Sequence, residues 1–305
     1  MTDYDVIIIG GGPAGICAGI YCARRELKTL IIEKTAIGGT MLLSEDIDNY
    51  PGFGQSTGKK IAKVMEEHAR RLGVEFLIDG VVEMNLKEPV KTITTRDKNL
   101  KCKAVILCMG ASPRNLGVPG EEEFRSHGVS YCATCDAPFF KGRTVAVFGG
   151  GSGAVSEALY LSKIAKKVMI VHRRDSFRAE EVDVKKMEAA GVEKIMNSQV
   201  KEIKGEKVVK SFVVETLKGK KEIPVDGIFI DIGYVPNSDI AKLSGVKLDD
   251  GGYILADKNK ATTVAGVFAA GDITGAIAQI ATAVGEGCIA ALSAYEYVQK
   301  PYWTK

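Results

Sequence analysis

The 305 residues carry 41 lysines and arginines against 38 aspartates and glutamates, a net charge of +3. A chain of that length exceeds what one core usually fills, so two domains are expected, and the near-neutral, interspersed charge gives no sign of nucleic acid. No apolar run reaches membrane-spanning length, and seven scattered cysteines suit a reducing cytoplasmic compartment better than a secreted disulfide framework.

Val6-Ile7-Ile8-Ile9 is a continuous β-branched run, the pattern of a central parallel strand covered on both faces. It enters Gly10-Gly11-Gly12-Pro13-Ala14-Gly15, then a helix pattern to Arg25, a strand Thr29–Ile32 and an acid, Glu33. Strand, G-x-G-x-x-G, helix, strand and acid in that order form the βαβ dinucleotide fingerprint. The glycines permit a tight turn and close approach of a pyrophosphate, and the acid can accept hydrogen bonds from a ribose. Gly38-Gly39 opens a loop ending at Asn49-Tyr50-Pro51-Gly52, and an amphipathic helix is expected from about Gly58 to Leu72. From Val74 to Val105 the pattern predicts a short antiparallel excursion, returning to a buried strand over 104–108 that ends at Gly110. The prolines of Ser112-Pro113 through Pro119-Gly120 mark a linker.

Cys132-Ala133-Thr134-Cys135-Asp136 follows. Two thiols at this spacing close a small disulfide with little rearrangement, and the acid beside them can carry the proton that each cycle moves. No second Cys or His pair is spaced to complete a zinc site, so no metal is expected. A second buried strand, Thr144–Phe148, runs into Gly149-Gly150-Gly151-Ser152-Gly153-Ala154, a second fingerprint with alanine at its last position. A helix is expected over 154–164 and a strand over Val168–Val171. What comes next is not an acid but His172-Arg173-Arg174, with Arg178 beyond. Arginines there fit the 2′-phosphate of NADPH, which an acid would repel; His172 shapes the pocket. One helix and several strands are expected over 180–235, with a return near Gly233 and Pro236-Asn237. Strand Gly266–Ala270 then ends in Gly271-Asp272 ahead of a helix from about Ala278 to Val298.

Taken together these residues closely resemble the low-molecular-weight thioredoxin reductases, FAD-dependent pyridine nucleotide–disulfide oxidoreductases, from one end of the chain to the other. The position of the Cys-x-x-Cys directly before the second fingerprint is the specific mark. The resemblance implies an α/β fold of two Rossmann-like, three-layer ββα domains, the second inserted into the first. The FAD-binding domain would comprise 1–113 plus 239–305, and an NADPH-binding domain over 114–238 would carry the redox disulfide. By motif match, FAD would be held by Gly10, Gly12, Pro13, Ala14, Gly15, Glu33, Lys34, Gly39, Thr40, Asn49, Gly110, Asp272, Gln279 and Ile280. NADPH would be held by Gly149, Gly151, Ser152, Gly153, His172, Arg173, Arg174 and Arg178. Cys132 would attack the substrate disulfide, Cys135 would face the flavin, and Asp136 would act as general acid and base.

The implied activity is transfer of electrons from NADPH through FAD and the Cys132–Cys135 pair to a disulfide of thioredoxin or a thioredoxin- or glutaredoxin-like protein, by a homodimer. Rotation of the inserted domain about linkers near 113–119 and 236–242 would alternate which group meets the flavin. The alternative is a flavoprotein dithiol oxidase, or a reductase fed by NADH, a deazaflavin or ferredoxin; the retained arginines favour NADPH. The chain departs from the family pattern at Thr40, where glutamine is usual, at Cys108-Met109-Gly110, and at Ala278, where an arginine usually stands.

Overall fold

A computed structural model describes residues 2–44, 47–217, 219–275 and 277–300. Strand β1 (Tyr4–Ile9) leads into helix α1 (Pro13–Ala23) and strand β2 (Thr29–Glu33). Val6 and Ile8 face one core and Ile7 and Ile9 the other, all four buried, which is why the run shows no polar alternation. Helix α2 (Gly58–Arg71) starts at Thr57, whose hydroxyl accepts the Lys60 N–H at 3.2 Å. Strands β3 (Glu75–Ile78), β4 (Val81–Asn85), β5 (Lys91–Thr95) and β6 (Asn99–Leu107) follow. The expected excursion is antiparallel only in β4–β5–β6; β3 instead extends the sheet parallel to β2. Alternation in a short half-exposed strand does not distinguish the two pairings, which are decided by where the chain returns.

The chain then crosses into a second compact unit through β7 (Ala111–Pro113). That unit, Pro113–Tyr234, holds β8 (Val129–Ser130), the single-turn helix α3 (Ala133–Asp136), β9 (Thr144–Gly149), α4 (Ser152–Leu161), β10 (Lys167–Val171) and α5 (Glu181–Ala189). It continues with β11 (Glu193–Ile195), β12 (Gln199–Gly205), β13 (Val209–Thr216), β14 (Gly219–Pro224) and β15 (Gly227–Asp231). A parallel sheet in the order β11-β10-β9-β15-β8 is joined by the antiparallel β12-β13-β14. β9 repeats the logic of β1: Ala146 and Phe148 face the core shared with β12–β14, while Val145 and Val147 face the one under α4.

Strand β16 (Tyr234–Pro236) pairs with β7, and the chain returns to the first unit, Met1–Ser112 with Val235–Lys305. Helix α6 (Asp239–Leu243), β17 (Val267–Ala269) and α7 (Ile280–Gln299) complete it. Its sheet runs β3-β2-β1-β6-β5-β4, with β17 parallel to the end of β6. α1 and α7 pack closely because both offer small residues: a side chain at Gly287 would strike the Ala14 backbone.

The proline-marked segment expected as a linker is packed. Leu116 and Val118 lie on the second unit's core, and the N–H groups of Leu116 and Gly117 donate to Glu121 at 2.8 and 2.7 Å. On the return, Asn237 is held in the first unit, its Nδ2 donating to the Met109 carbonyl at 2.8 Å. The crossings therefore lie at Ser112/Pro113 and Tyr234/Val235. Prolines signal local backbone restriction, which a packed segment uses as readily as a free one.

Candidate active site

In the first unit, the turn after β1 can be built only from glycine. Gly10 sits at φ +106, where a Cβ would fall on the Cys108 carbonyl, and a Cβ at Gly15 would fall on the Gly10 carbonyl. Gly12 differs: its nearest neighbour would be Gly39 Cα at 3.8 Å, so a side chain there would project into open space. That space is a cavity of about 720 Å³ lined by Gly10, Gly12, Pro13, Ala14, Glu33 and Lys34, and also by Gly39, Thr40, Gly110 and Asp272. Gly15 lies beneath the turn. Asn49 and Gln279 bond to each other, Nδ2 to Oε1 at 3.2 Å, and neither they nor Ile280 line the cavity. Asp79, Asn237 and Asp239 line it without having been expected there; of the three the sequence marks only Asn237, and as part of the return between domains.

Glu33 braces the turn, its Oε2 accepting the Gly11 N–H at 2.7 Å and its Oε1 the Thr35 N–H at 3.0 Å. Burial, and next the negative Glu286, push the Asp272 carboxyl above its usual range. Glu286 in turn accepts the Gly271 N–H at 2.8 Å and the Thr274 hydroxyl at 3.1 Å, and pairs with Lys260. The bare glycine floor, strand-end acid and strand-end Asp272 fit a dinucleotide such as FAD. Gly12→Val would fill that floor without a backbone penalty, since Gly12 has φ −76. The expected outcome is a folded protein, by circular dichroism, that retains flavin at least about a hundredfold more weakly in equilibrium dialysis.

The second glycine turn uses a different set of clashes. A Cβ at Gly149 would strike the Asp231 carbonyl, one at Gly150 the His172 ring, and one at Gly153 the Asp231 carboxylate; Gly151 opens on free space. Arg178 is drawn beside the turn, its N–H donating to the Gly150 carbonyl at 2.7 Å, with the Ser152 hydroxyl 3.5 Å from the Arg178 carbonyl. His172 is buried and stacked on Phe177 with ring centroids 5.7 Å apart. Burial first, and then the three arginines, hold its pKa down, and its Nε2 has no partner among the described residues. Arg173, Arg174 and Arg178 are exposed and make no ion pair among the described residues. Unpaired guanidiniums beside a glycine turn fit a nucleotide carrying an extra phosphate.

The dithiol lies in the same unit. Cys132 and Cys135 are disulfide-bonded with Cα atoms 5.3 Å apart, Cys132 capping α3 and its carbonyl accepting the Cys135 and Asp136 N–H groups at 3.2 and 3.1 Å. Ser130, from β8, donates its hydroxyl to Asp136 Oδ2 at 2.6 Å and accepts the Cys132 N–H at 3.1 Å, tying the acid to the pair. Four of the other cysteines are poor nucleophiles: burial pushes the Cys17, Cys22 and Cys102 thiols up to about 12, and Cys108 up as well.

Sequence reasoning missed Glu157. Its Oε1 accepts the Ala133 N–H at 3.1 Å, its Oε2 is buried with no partner, and burial, then the charges of Asp231 and Asp136, push its carboxyl up to about 7. One signal existed: Glu157 is the sole charged residue of α4. No group of His, Cys, Asp or Glu among the described residues is placed to hold a metal ion, and no helix among them is long and apolar enough to cross a membrane.

Two dinucleotide turns on one chain, with a closed vicinal disulfide in the unit of the second, are the equipment of a nucleotide-fed dithiol oxidoreductase. The family model for pyridine nucleotide-disulphide oxidoreductases matches residues 4–287. A thioredoxin reductase from Peptoclostridium acidaminophilum is 44% identical, with 97% of each chain covered. One from Bacillus subtilis is 43% identical over 97% of this chain and 95% of its own. The crystal structure of thioredoxin reductase from Streptococcus pyogenes superposes with a TM-score of 0.90 at 40% identity, covering 97% of this chain and 98% of that one. The chain belongs to the pyridine nucleotide–disulphide oxidoreductases and, within them, to the low-molecular-weight thioredoxin reductases.

Proposed function

We propose that this chain reduces the disulfide of a thioredoxin or a thioredoxin- or glutaredoxin-like protein at the expense of NADPH. The observation that carries the reading is the closed Cys132–Cys135 bridge with Asp136 tied to it through Ser130. When bound, FAD and NADPH supply hydride and two-electron transfer, chemistry that protein side chains lack. The first unit would hold FAD with Gly10, Gly12, Glu33 and Asp272. The second would hold NADPH with the Gly149–Gly153 turn, Arg173, Arg174 and Arg178.

Once the pair is reduced, the Cys132 thiolate attacks one sulfur of the partner's disulfide, and the partner's other sulfur leaves as a thiolate that takes a proton. Cys135 then attacks Cys132, closing the bridge and releasing the second partner thiol. Asp136 accepts and returns the proton that each exchange moves. The test is NADPH-dependent reduction of purified thioredoxin, followed by loss of NADPH absorbance; oxidation of NADPH without new thiols on the thioredoxin would refute the reading.

Phe139, three residues past Asp136 and 54% exposed, supports a protein as the partner, because an aromatic ring beside a dithiol offers apolar contact area. Phe139→Ala is expected to raise KM for the protein disulfide about tenfold while leaving reduction of a small aromatic disulfide unchanged. A homodimer and a cytoplasmic location belong to the same reading; sedimentation at micromolar concentration tests the first. The inserted unit would turn about the crossings at 112/113 and 234/235, and an engineered disulfide locking them should stop turnover.

A further inference from the structure

The dithiol segment rests on a carboxylate that the family reaction, as set out above, does not use. Glu157 projects from the first turns of α4 to the start of α3, where Oε1 takes the N–H of Ala133, the residue next to Cys132. Its Oε2 is sealed from solvent and has no hydrogen-bond partner among the described residues. A buried carboxylate oxygen with no hydrogen-bond partner bears the full desolvation cost of its charge, and taking a proton removes that charge.

The groups facing it are acidic. Asp136 comes from α3 and Asp231 from the end of β15, and both add negative potential. β9 and β10 present apolar residues to α4, among them Val145, Val147 and Ile170, and Lys167 of β10 is paired outward with Glu193. The charges of α5 are spent in exposed pairs, Lys185 with Glu181 and Lys186 with Asp183. Glu157 makes no ion pair among the described residues, so only the Ala133 N–H, and no cation, opposes its negative charge when it ionises.

We propose that Glu157 is a positioning residue of the dithiol that also sets its proton affinity: Oε1 fixes the start of α3 through Ala133, and Oε2 holds a proton in exchange with the reduced pair. Opening the bridge breaks the S–S bond, takes two electrons, and leaves two sulfurs that need two protons to become thiols. While Glu157 is protonated it is neutral, and one sulfur can stay a thiolate. Once Glu157 ionises, its negative charge, held at the N–H of the residue next to Cys132, favours the sulfur that keeps its proton. The proton is thus shared between carboxyl and thiol, separately from Asp136. With burial and two acids raising the carboxyl to about 7, the exchange falls at neutral pH.

The proposal rests on the reading of Cys132 and Cys135 as the redox pair, and the test separates the two. The flavin-loaded wild type, Glu157→Gln and Glu157→Ala are reduced anaerobically with a water-soluble phosphine, which takes the oxygen of a water and leaves two thiols. Alkylation of Cys132 and Cys135 by iodoacetamide is then followed by peptide mass from pH 5.5 to 9. Glutamine keeps the acceptor for Ala133 but cannot ionise. The expected result is that Glu157→Gln matches the wild type at pH 5.5 and reacts about tenfold faster at pH 8, the gap opening through neutrality, since removing a nearby negative charge lowers a thiol pKa by about one unit. Glu157→Ala should differ from the wild type at every pH. A Glu157→Gln to wild-type ratio that stays constant across the range would overturn the proposal. The companion measurement adds NADPH in place of the phosphine. A bridge that stays closed there, with the pH-dependent ratio intact after phosphine, would sink the proposed function and leave the role of Glu157 standing.

Discussion

Cys135→Ser is expected to abolish NADPH-dependent disulfide reduction, by at least about a thousandfold, while leaving a folded, flavin-binding protein. The bridge closes a loop of only two intervening residues, so its removal costs roughly 2 kcal/mol of stability at most by chain entropy, a shift of a few degrees in melting temperature. The loss of activity therefore cannot be a folding effect. The variant keeps Cys132 as the attacking thiol with no partner to resolve its product. Mixed with an oxidised thioredoxin, it should accumulate a covalent adduct through Cys132 that a reducing gel dissolves. Cys132→Ser should lose the same activity and form no adduct. Equal trapping by both variants would contradict the assignment of roles.

The second large effect concerns the nucleotide. Arg173, Arg174 and Arg178 are exposed and make no ion pair among the described residues, so each is available to a phosphate without first breaking such a pair. A charge-assisted hydrogen bond contributes about 1.5–3 kcal/mol, so one arginine-to-alanine change should raise KM for NADPH about tenfold. The Arg173→Ala, Arg174→Ala double variant should raise it about a hundredfold. KM for NADH, which has no 2′-phosphate, should change less than about threefold, and kcat should hold, because these contacts are made alike in ground and transition states. Added salt should weaken NADPH binding in the wild type and far less in the double variant. A parallel loss for both nucleotides would mean that the arginines support the turn and do not read the phosphate.

Much of the site was legible because backbone geometry leaves glycine no substitute at Gly10, Gly15 and Gly149, where a Cβ would collide with carbonyl oxygens. The runs Val6–Ile9 and Thr144–Phe148 were readable as doubly covered strands for the same local reason: alternate residues feed two cores. What escaped depends on contacts distant in the chain. Asn237 reaches the first cavity only because it is bonded to Met109 after the second crossing. Asn49 and Gln279, both motif matches, satisfy each other across 230 residues. Glu157 is one acid on an otherwise uncharged helix, and only the fold places Ala133, Asp136 and Asp231 around it. The prolines of 113–119 read as a tether, whereas the side chains between them, Leu116 and Val118, decided that the segment packs.

The central claim is that electrons from a nucleotide open the bridge between Cys132 and Cys135. Anaerobic addition of one equivalent of NADPH to the flavin-loaded protein, followed by acid quench, alkylation and peptide mapping, measures it directly. The account predicts close to two new thiols per chain, confined to Cys132 and Cys135, as the flavin returns to its oxidised absorbance. Bleached flavin with that bridge still closed, or new thiols elsewhere, would contradict it.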